Sequence, residues 1–431
     1  MLLAWSSVAV AQDKYLLVTS PSKVSDVCGR HSLTQVATPV QPGSNGVYLV
    51  SSSTVDPTIS SDSAVVSFEP NSKLGVPELS ALSTQLTQST GAIIDQLPSR
   101  AAVSYFGATV ANYYVSQSAT SVVELGRLQN STLVNGQGIT IAVIDTGVDP
   151  SHPALINSLV QGYDFTRNQQ GASELPDLPS AAQAALSQST GAIIDGQNVM
   201  LVNPSTAAIL SQTVSSTLGQ VPEAFGHGTM TAGLVHLIAP GARIMPLKAF
   251  NADGSSDLFN IVRAITFAAD NGANVISMSF EIPQSSPALQ NAIQYAQSKN
   301  VVLVASSGND GQQTMVYPAG YNGVIGVAST TASDSKSVFT NFGTNAAFVA
   351  APGEAVITTY PAGNYAAGWG TSFSAPLVAG EAALILQARP TYKPGDVANA
   401  ISRAVQIPQL GHGRVDLCLS IASIGAGLQC Q

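Results

Sequence analysis

From about residue 130 onward, runs of β-branched and apolar residues alternate with segments whose apolar residues recur at helical spacing. Residues 139–144 (ITIAVI) carry no charge and suit a buried strand. Residues 227–239 suit a helix, and 242–250 (ARIMPLKAF) a strand. A helix is predicted over 257–271, with Val262, Ile265, Phe267 and Ala268 on its apolar face. Strands at 274–279 and 301–305 flank a helical stretch at 286–299. A strand at 323–329 and a helix at 372–387 extend the series. The alternation predicts an α/β unit, a mostly parallel sheet covered by helices on both faces.

A smaller α+β unit is predicted ahead of it. Residues 14–19, 46–51 and 64–68 are strand-like, and 22–33 has helical spacing through Val24, Val27 and Leu33. Residues 71–115 are rich in Ser, Thr, Gln and Ala and read as a linker with a helix or two. The first residues, MLLAWSSVAVAQ, resemble the end of a secretory signal peptide with an Ala9-Val10-Ala11 cleavage pattern. Its basic region is missing, so the true start is expected upstream; the alternative is a short hydrophobic N-terminus of no special role. A secreted, extracellular protein is expected. No later apolar run nears the ~20 residues needed to span a bilayer, so no membrane association is expected.

Hydrophobic residues make up 45% and charged residues 10% of the 431-residue chain, which excludes a charged disordered chain. A net charge of −9 without Lys/Arg clusters argues against nucleic acid as a partner. Of three cysteines, Cys418 and Cys430 are the candidate disulfide, leaving Cys28 over; three buried thiols are the alternative. No spacing suggests zinc. The octapeptide QSTGAIID occurs at 88–95 and again at 188–195, with a looser copy at 205–212. These stretches are either short strands that pair with one another or duplications with no role beyond packing. They are too short for a solenoid unit.

Four segments carry residues suited to acyl-transfer chemistry, which needs a nucleophile, a base, a group orienting the base, and oxyanion donors. The strand Ala142-Val143-Ile144 ends in Asp145-Thr146-Gly147, which puts Asp145 at the carboxyl end of a strand, where α/β sheets bind ligands. Taken alone, such an Asp is often a turn or cap residue. His227 lies between Gly226 and Gly228 at a predicted helix start; a lone His is more often structural. His31, His152, His236 and His412 are read as structural. Asn309 follows Gly308 after a strand and could direct an amide donor at an oxyanion, although Gly-Asn is also a common turn. Gly370-Thr371-Ser372-Phe373-Ser374-Ala375-Pro376 opens a helix, where unpaired N–H groups favour negative charge. Pro376 is expected within the first turn.

In this order, Asp-Thr-Gly, His-Gly-Thr and Gly-Thr-Ser-x-x-x-Pro resemble the subtilisin-like serine proteases, the subtilases. The match runs from about Leu125 to Gly413. The resemblance implies a three-layer subtilisin-like fold and a serine endopeptidase working through an acyl-enzyme on protein or peptide substrates. Ser372 would be the nucleophile, His227 the general base and Asp145 its orienting partner. Asn309 and the Ser372 N–H would form the oxyanion hole. The substrate strand maps to Ser279, Phe280 and Glu281, and the facing wall of the specificity pocket to Ser306, Ser307 and Gly308. Many relatives carry Gly-Gly where Glu281-Ile282 stand here, so Glu281 is expected to narrow the cleft or favour a basic side chain.

Relatives with a strong calcium site often carry Asp after His-Pro. Ala154 stands there instead, so the resemblance supports neither calcium nor any other cofactor. The 82 positions between Asp145 and His227 imply an insertion at about 165–222. By pattern and placement, residues 12–75 resemble a subtilase propeptide: a ferredoxin-like domain that assists folding and blocks the cleft as an intramolecular inhibitor. The domains expected are a signal remnant at 1–11, this unit at 12–75, a linker and processing region at 76–120, and the catalytic domain at 121–431. A silent binding protein on the same fold is the rival reading, and the complete triad speaks against it. A lipase-type hydrolase would want G-x-S-x-G, which the sequence around Ser372 does not match.

Overall fold

The computed structural model describes residues 13–75, 101–131, 134–180, 182–183, 198–203, 206–210 and 221–425. The signal-like segment, both copies of QSTGAIID and Cys430 lie outside them.

The N-terminal unit comprises β1 (Asp13–Thr19), the helix Val24–Arg30, β2 (Thr34–Gln35), β3 (Gly46–Ser52) and β4 (Val65–Pro70). The strands form an antiparallel sheet in the order β2-β3-β1-β4, a ferredoxin-like arrangement. A 3-10 turn at Ile59–Ser61 stands between β3 and β4. Alternation along the strands divides the apolar residues between two faces. Leu17, Tyr48 and Val50 pack on Val27 of the helix, whereas Leu16, Val18, Val47 and Leu49 face the larger domain.

The linker region departs from the expectation of helices alone. After β5 (Lys73–Gly75), residues 102–111 form a hairpin of β6 (Ala102–Tyr105) and β7 (Ala108–Ala111), followed by the short helix Asn112–Val115. Phe106 and Gly107, at φ 48° and 87°, supply the two positive-φ positions that a tight hairpin turn needs. Tyr105 and Tyr114 donate their hydroxyls to Leu237 and Gly233 carbonyls at 2.5 and 2.6 Å, binding this segment to the larger domain.

The large sheet is built from β8 (Thr140–Asp145), β9 (Tyr163–Asp164), β10 (Gln169–Gln170), β13 (Arg243–Lys248), β15 (Val275–Met278), β16 (Val302–Ser306), β17 (Val324–Thr330) and β18 (Val349–Pro352). Its order is β10-β9-β13-β8-β15-β16-β17-β18, parallel except for the β9–β10 edge. Alternate residues of each central strand supply opposite cores. Ile141, Val143, Val275, Val302 and Val304 meet the helices His227–Ile238 and Thr371–Ala388. Ala142, Ile144, Ile276, Met278 and Leu303 meet the helices Leu258–Asp270 and Pro287–Ser298. These last two helices have side-chain N-caps: Asp257 accepts from Asn260 N at 3.0 Å, and Ser286 from Leu289 N at 3.1 Å.

Within the expected insertion, β11 (Asn198–Asn203) and β12 (Thr206–Leu210) join β19 (Val356–Tyr360) and β20 (Asn364–Gly368) in a second sheet, β11-β12-β20-β19. The looser repeat copy thus contains β12, whose sheet neighbours are β11 and β20. β14 (Ser255–Asp257) pairs antiparallel with β5 of the N-terminal region. Cys418 is disulfide-bonded and Cys28 is a free thiol. No helix among the described residues is long and apolar enough to cross a membrane.

Midway along the Thr371–Ala388 helix, Glu381 is fully buried. Ser420 donates to its Oε1, Oε2 has no hydrogen-bond partner, and burial pushes the carboxyl up to about 8. The folded state therefore holds this proton more tightly than the unfolded chain. The resulting stability is fully present below pH ~4.5 and is lost as pH rises through about 8. Glu381→Gln, which stays neutral, is expected to raise stability by about 1–3 kcal/mol at pH 9 and to match the parent near pH 4. Thermal melts of both proteins at pH 4 and pH 9 would measure this.

Candidate active site

Asp145 ends β8, where the strand's last residue turns its carboxylate toward the start of the His227–Ile238 helix. His227 Nδ1 lies 2.8 Å from Asp145 Oδ1. The carboxylate also accepts from Thr146 N at 2.7 Å and from Thr231 Oγ1 at 3.1 Å. With Asp145 2% and His227 9% exposed, the pair is shielded from water. Two glycines allow the close approach. Gly226 caps the helix at φ 91°, where a side chain would strike the Tyr360 ring, and a Cβ on Gly228 would collide with the Gly147 carbonyl.

Ser372 is the second residue of the Thr371–Ala388 helix and is buried. Pro376 is not in the first turn as expected; it stands inside the helix, in the second turn. Its missing N–H leaves the Ser372 carbonyl without the usual helical donor. Ser279 supplies the replacement, donating Oγ to Ser372 O at 2.9 Å, while Ser372 Oγ lies 3.4 Å from Ser279 O. Proline in this helix thus ties the candidate nucleophile to the strand beside it. Phe373 packs its ring 5.5 Å from that of His227.

Asn309 Oδ1 accepts from both Thr371 N and Thr371 Oγ1 at 2.9 Å. That fixes the amide plane and leaves Nδ2 as the donating end beside the start of the Ser372 helix. Ser306 ends β16 and its Oγ lies 3.4 Å from Phe280 O; Ser307 Oγ lies 3.4 Å from Asn341 O. Gly308, at φ 98°, abuts Glu281 and Asn341. The stretches 279–281 and 306–308 therefore lie against each other, through Ser306 on Phe280 and Gly308 on Glu281. Phe280 is the exception within them: its side chain turns into the core against Phe250, leaving only its main chain for the cleft.

One residue at this site escaped the sequence reading. Glu174, from the insertion, is completely buried beneath the Asp145 and His227 turns. It accepts from Thr229 Oγ1, from Gly226 N at 2.9 Å and from Thr146 Oγ1 at 3.2 Å. Thr146 Oγ1 in turn accepts from Gly228 N at 2.9 Å. Burial pushes Glu174 up to about 7. No local motif marks it, because its partners lie 28 to 55 residues away. Lys248 is likewise buried, donating to Thr146 O, Phe250 O and Asp177 Oδ2 at 2.6 to 2.7 Å.

Among the described residues, no group of three or more His, Cys, Asp or Glu is arranged to hold a metal ion. Asp149 instead accepts from Ser151 N and Ala362 N, and His152 Nε2 is on the Asn364 carbonyl.

Residues 136–416 match the subtilase peptidase family. The chain belongs to that family. Thermitase of Thermoactinomyces vulgaris is 34% identical over 257 residues, spanning 59% of this chain and 76% of that protein. A thermophilic serine proteinase of Bacillus sp. (strain AK1) is 35% identical over 248 residues, 58% of this chain and 52% of the relative. A crystal structure of a cold-adapted subtilisin-like serine proteinase superposes with TM-score 0.51 at 26% identity, covering 66% of this chain and 89% of that one. Fervidolysin from Fervidobacterium pennivorans, described as a keratinolytic enzyme related to subtilisin, covers 97% of this chain and 62% of its own. Its TM-score is 0.66 at 20% identity, a likeness of fold.

This subtilase is a serine-type endopeptidase acting on protein or peptide substrates. The family's chemistry needs no organic cofactor. Since Glu174 links both turns that carry the Asp145–His227 pair, Glu174→Ala is expected to lower kcat at least tenfold and stability by about 1–3 kcal/mol. Glu174→Gln keeps one acceptor oxygen and should lose less of each. Active-site-titrated peptide hydrolysis and thermal melts would test both.

Proposed function

We propose that Asp145, His227 and Ser372 form the catalytic triad of a secreted, self-processing endopeptidase. The observation that carries this reading is the buried 2.8 Å contact between Asp145 Oδ1 and His227 Nδ1, with the Ser372 helix packed on the same imidazole through Phe373. Asp145 holds the tautomer that keeps Nε2 free of its proton. Nε2 then takes the Ser372 proton as the hydroxyl attacks the scissile carbonyl, and returns it to the leaving amine. Asn309 Nδ2 and the Ser372 N–H, at a helix N-terminus, stabilise the oxyanion. Water then attacks the acyl-enzyme by the same proton route. The stretches 279–281 and 306–308 hold the substrate. Activity falls on acidification as His227 becomes protonated and can no longer accept the proton.

The N-terminal unit, 12–75, is proposed as the intramolecular inhibitor, released by cleavage within 76–120. Its docking supports this. Glu69 Oε1 accepts from Ala288 N and Asn71 Oδ1 from Phe259 N, at 2.8 and 2.9 Å, at the N-terminal ends of two catalytic-domain helices. The Ser72 carbonyl accepts from Leu258 N at 3.0 Å, and β5 then pairs with β14. Chain leaving β5 thus starts from the strand edge of the catalytic body. Secretion is proposed on the A-x-A pattern near the N-terminus.

Wild-type protein should be labelled by a fluorophosphonate at Ser372 and should lose the N-terminal unit on incubation. Ser372→Ala should show neither change when followed by intact-mass spectrometry. Maturation of Ser372→Ala in the absence of any other protease would disprove self-processing. Asn309→Ala should lower kcat about 100- to 1,000-fold, a magnitude carried over from subtilisin itself.

A further inference from the structure

We propose that Glu281 sets substrate selectivity, presenting its carboxylate in the specificity pocket to a lysine or arginine side chain on the acyl side of the scissile bond. This rests on the assignment of Ser372 as nucleophile and of 279–281 and 306–308 as the pocket walls.

The neighbouring main chain fixes where Glu281 can point. Two residues before it, Ser279 is bonded to Ser372 in both directions. One residue after it, Ile282 exchanges backbone hydrogen bonds with Tyr317, N to O at 2.7 and 2.9 Å. Between these anchors the side chain reaches across to the opposite wall. A Cβ on Gly308 would collide with Glu281 Oε2 and with Asn341 Nδ2. Only a glycine at 308 leaves room for the carboxylate to lie there.

That carboxylate lacks compensation. Oε2 is buried and has no hydrogen-bond partner. The charged group acting on it is another acid, Asp310, one residue beyond Asn309. Asp310 is itself held in place by Asn341, which donates Nδ2 to Oδ2 and accepts the Asp310 N–H, each at 3.0 Å. Burial first, and Asp310 second, push Glu281 up to about 7. The nearby charge that acts on Glu281 is therefore a like charge, not a compensating cation. A buried carboxylate without a partner is costly, whereas a cationic side chain entering beside it supplies both charge and donors. An apolar side chain would leave the cost in place. The same logic makes a pocket carboxylate select basic residues in other serine proteases.

The test uses the matured enzyme and internally quenched peptides that differ only in the residue preceding the cleaved bond: Lys, Arg, Gln, Leu or Phe. Fluorophosphonate titration fixes the concentration of working sites. At pH 8 the kcat/KM ratio of Lys or Arg over Leu is expected to exceed 10. It should fall at least tenfold in Glu281→Gln, which keeps the shape, and in Glu281→Gly, which opens the pocket. The wild-type ratio should also decline between pH 8 and pH 6 as Glu281 takes up its proton. His227 is shared by both substrates and cancels from the ratio. The decline must vanish in Glu281→Gln to be assigned to Glu281. A ratio near 1 in the wild type, or one unchanged in Glu281→Gln, would overturn the proposal while labelling at Ser372 persisted. If only Glu281→Gly changed the profile, Glu281 would act by bulk and the charge assignment would fall. Absence of labelling in matured wild type would instead remove the nucleophile assignment, and the pocket with it.

Discussion

The contact between Asp145 Oδ1 and His227 Nδ1 joins residues 82 positions apart, and much of the fold is arranged to hold it. Asp145 is fixed because β8 lies inside the sheet, paired on both sides by β13 and β15. His227 is fixed because its helix is buried along its whole length between that sheet and the Ser372 helix. Neither anchor alone sets the distance between the two turns. That distance is set by contacts between the turns themselves: Gly228 against Gly147, Gly228 N on Thr146 Oγ1, and Glu174 beneath both.

Glu174, Glu281 and Glu381 share a physical condition. Each is pushed up to about 7 or 8, with burial as the leading cause, so each folded-state proton is held more tightly than in the unfolded chain. All three therefore favour the folded state at acid pH and lose that contribution as pH rises toward 7 or 8. The general-base role proposed for His227 runs the other way, since a base must be unprotonated to accept a proton. The three acids differ in consequence. Glu174 has three donors and ties turns together, Glu381 is half satisfied inside a helix layer, and Glu281 has an unmet oxygen beside Gly308.

What was legible in the sequence followed from local chemistry. The apolar runs at β8, β13, β15, β16 and β17 fall within a residue or two of their predicted positions, because strands buried on both faces are apolar through their middle and carry charge only at their ends, as with Asp145, Arg243 and Lys248. The helices at 227, 258, 287 and 371 were equally readable from apolar spacing and cap residues. Asp145, His227 and Ser372 each have a glycine within two residues, Gly228 for close backbone approach and Gly370 for its positive φ, which makes them visible as motifs. The illegible parts depend on distant partners. The 102–111 hairpin is held by Tyr105 reaching Leu237, and β20 (NYAAG) lacks an apolar run and is held by its pairing with β12 and β19. Pro376 reads as a first-turn proline until the Ser279 hydroxyl is seen in place of the missing N–H. Phe280 falls in the stretch that the resemblance assigns to the substrate strand, and its ring lies in the core against Phe250, a packing that depends on a residue 30 positions away.

The N-terminal unit shows how such long-range dependence extends to a whole domain. Its own core is small, centred on Leu17, Val27, Leu33, Tyr48, Val50 and Ile59. The opposite sheet face, with Leu16, Val18, Val47 and Leu49, shares a core with the helices Leu258–Asp270 and Pro287–Ser298. A unit of about 60 residues with half its apolar side chains committed elsewhere is marginal by itself. Those two helices receive in return the Glu69 and Asn71 side chains at N–H groups that a helix start leaves unpaired. Docking and folding of this unit are therefore coupled. Cutting the chain beyond β5 would not remove the shared core or the caps, so the unit would leave the body by losing its own fold as well as its contacts. A proposed inhibitor built this way stays bound while intact and is disposed of once it opens, because its open form exposes the backbone that the neighbouring endopeptidase can cleave.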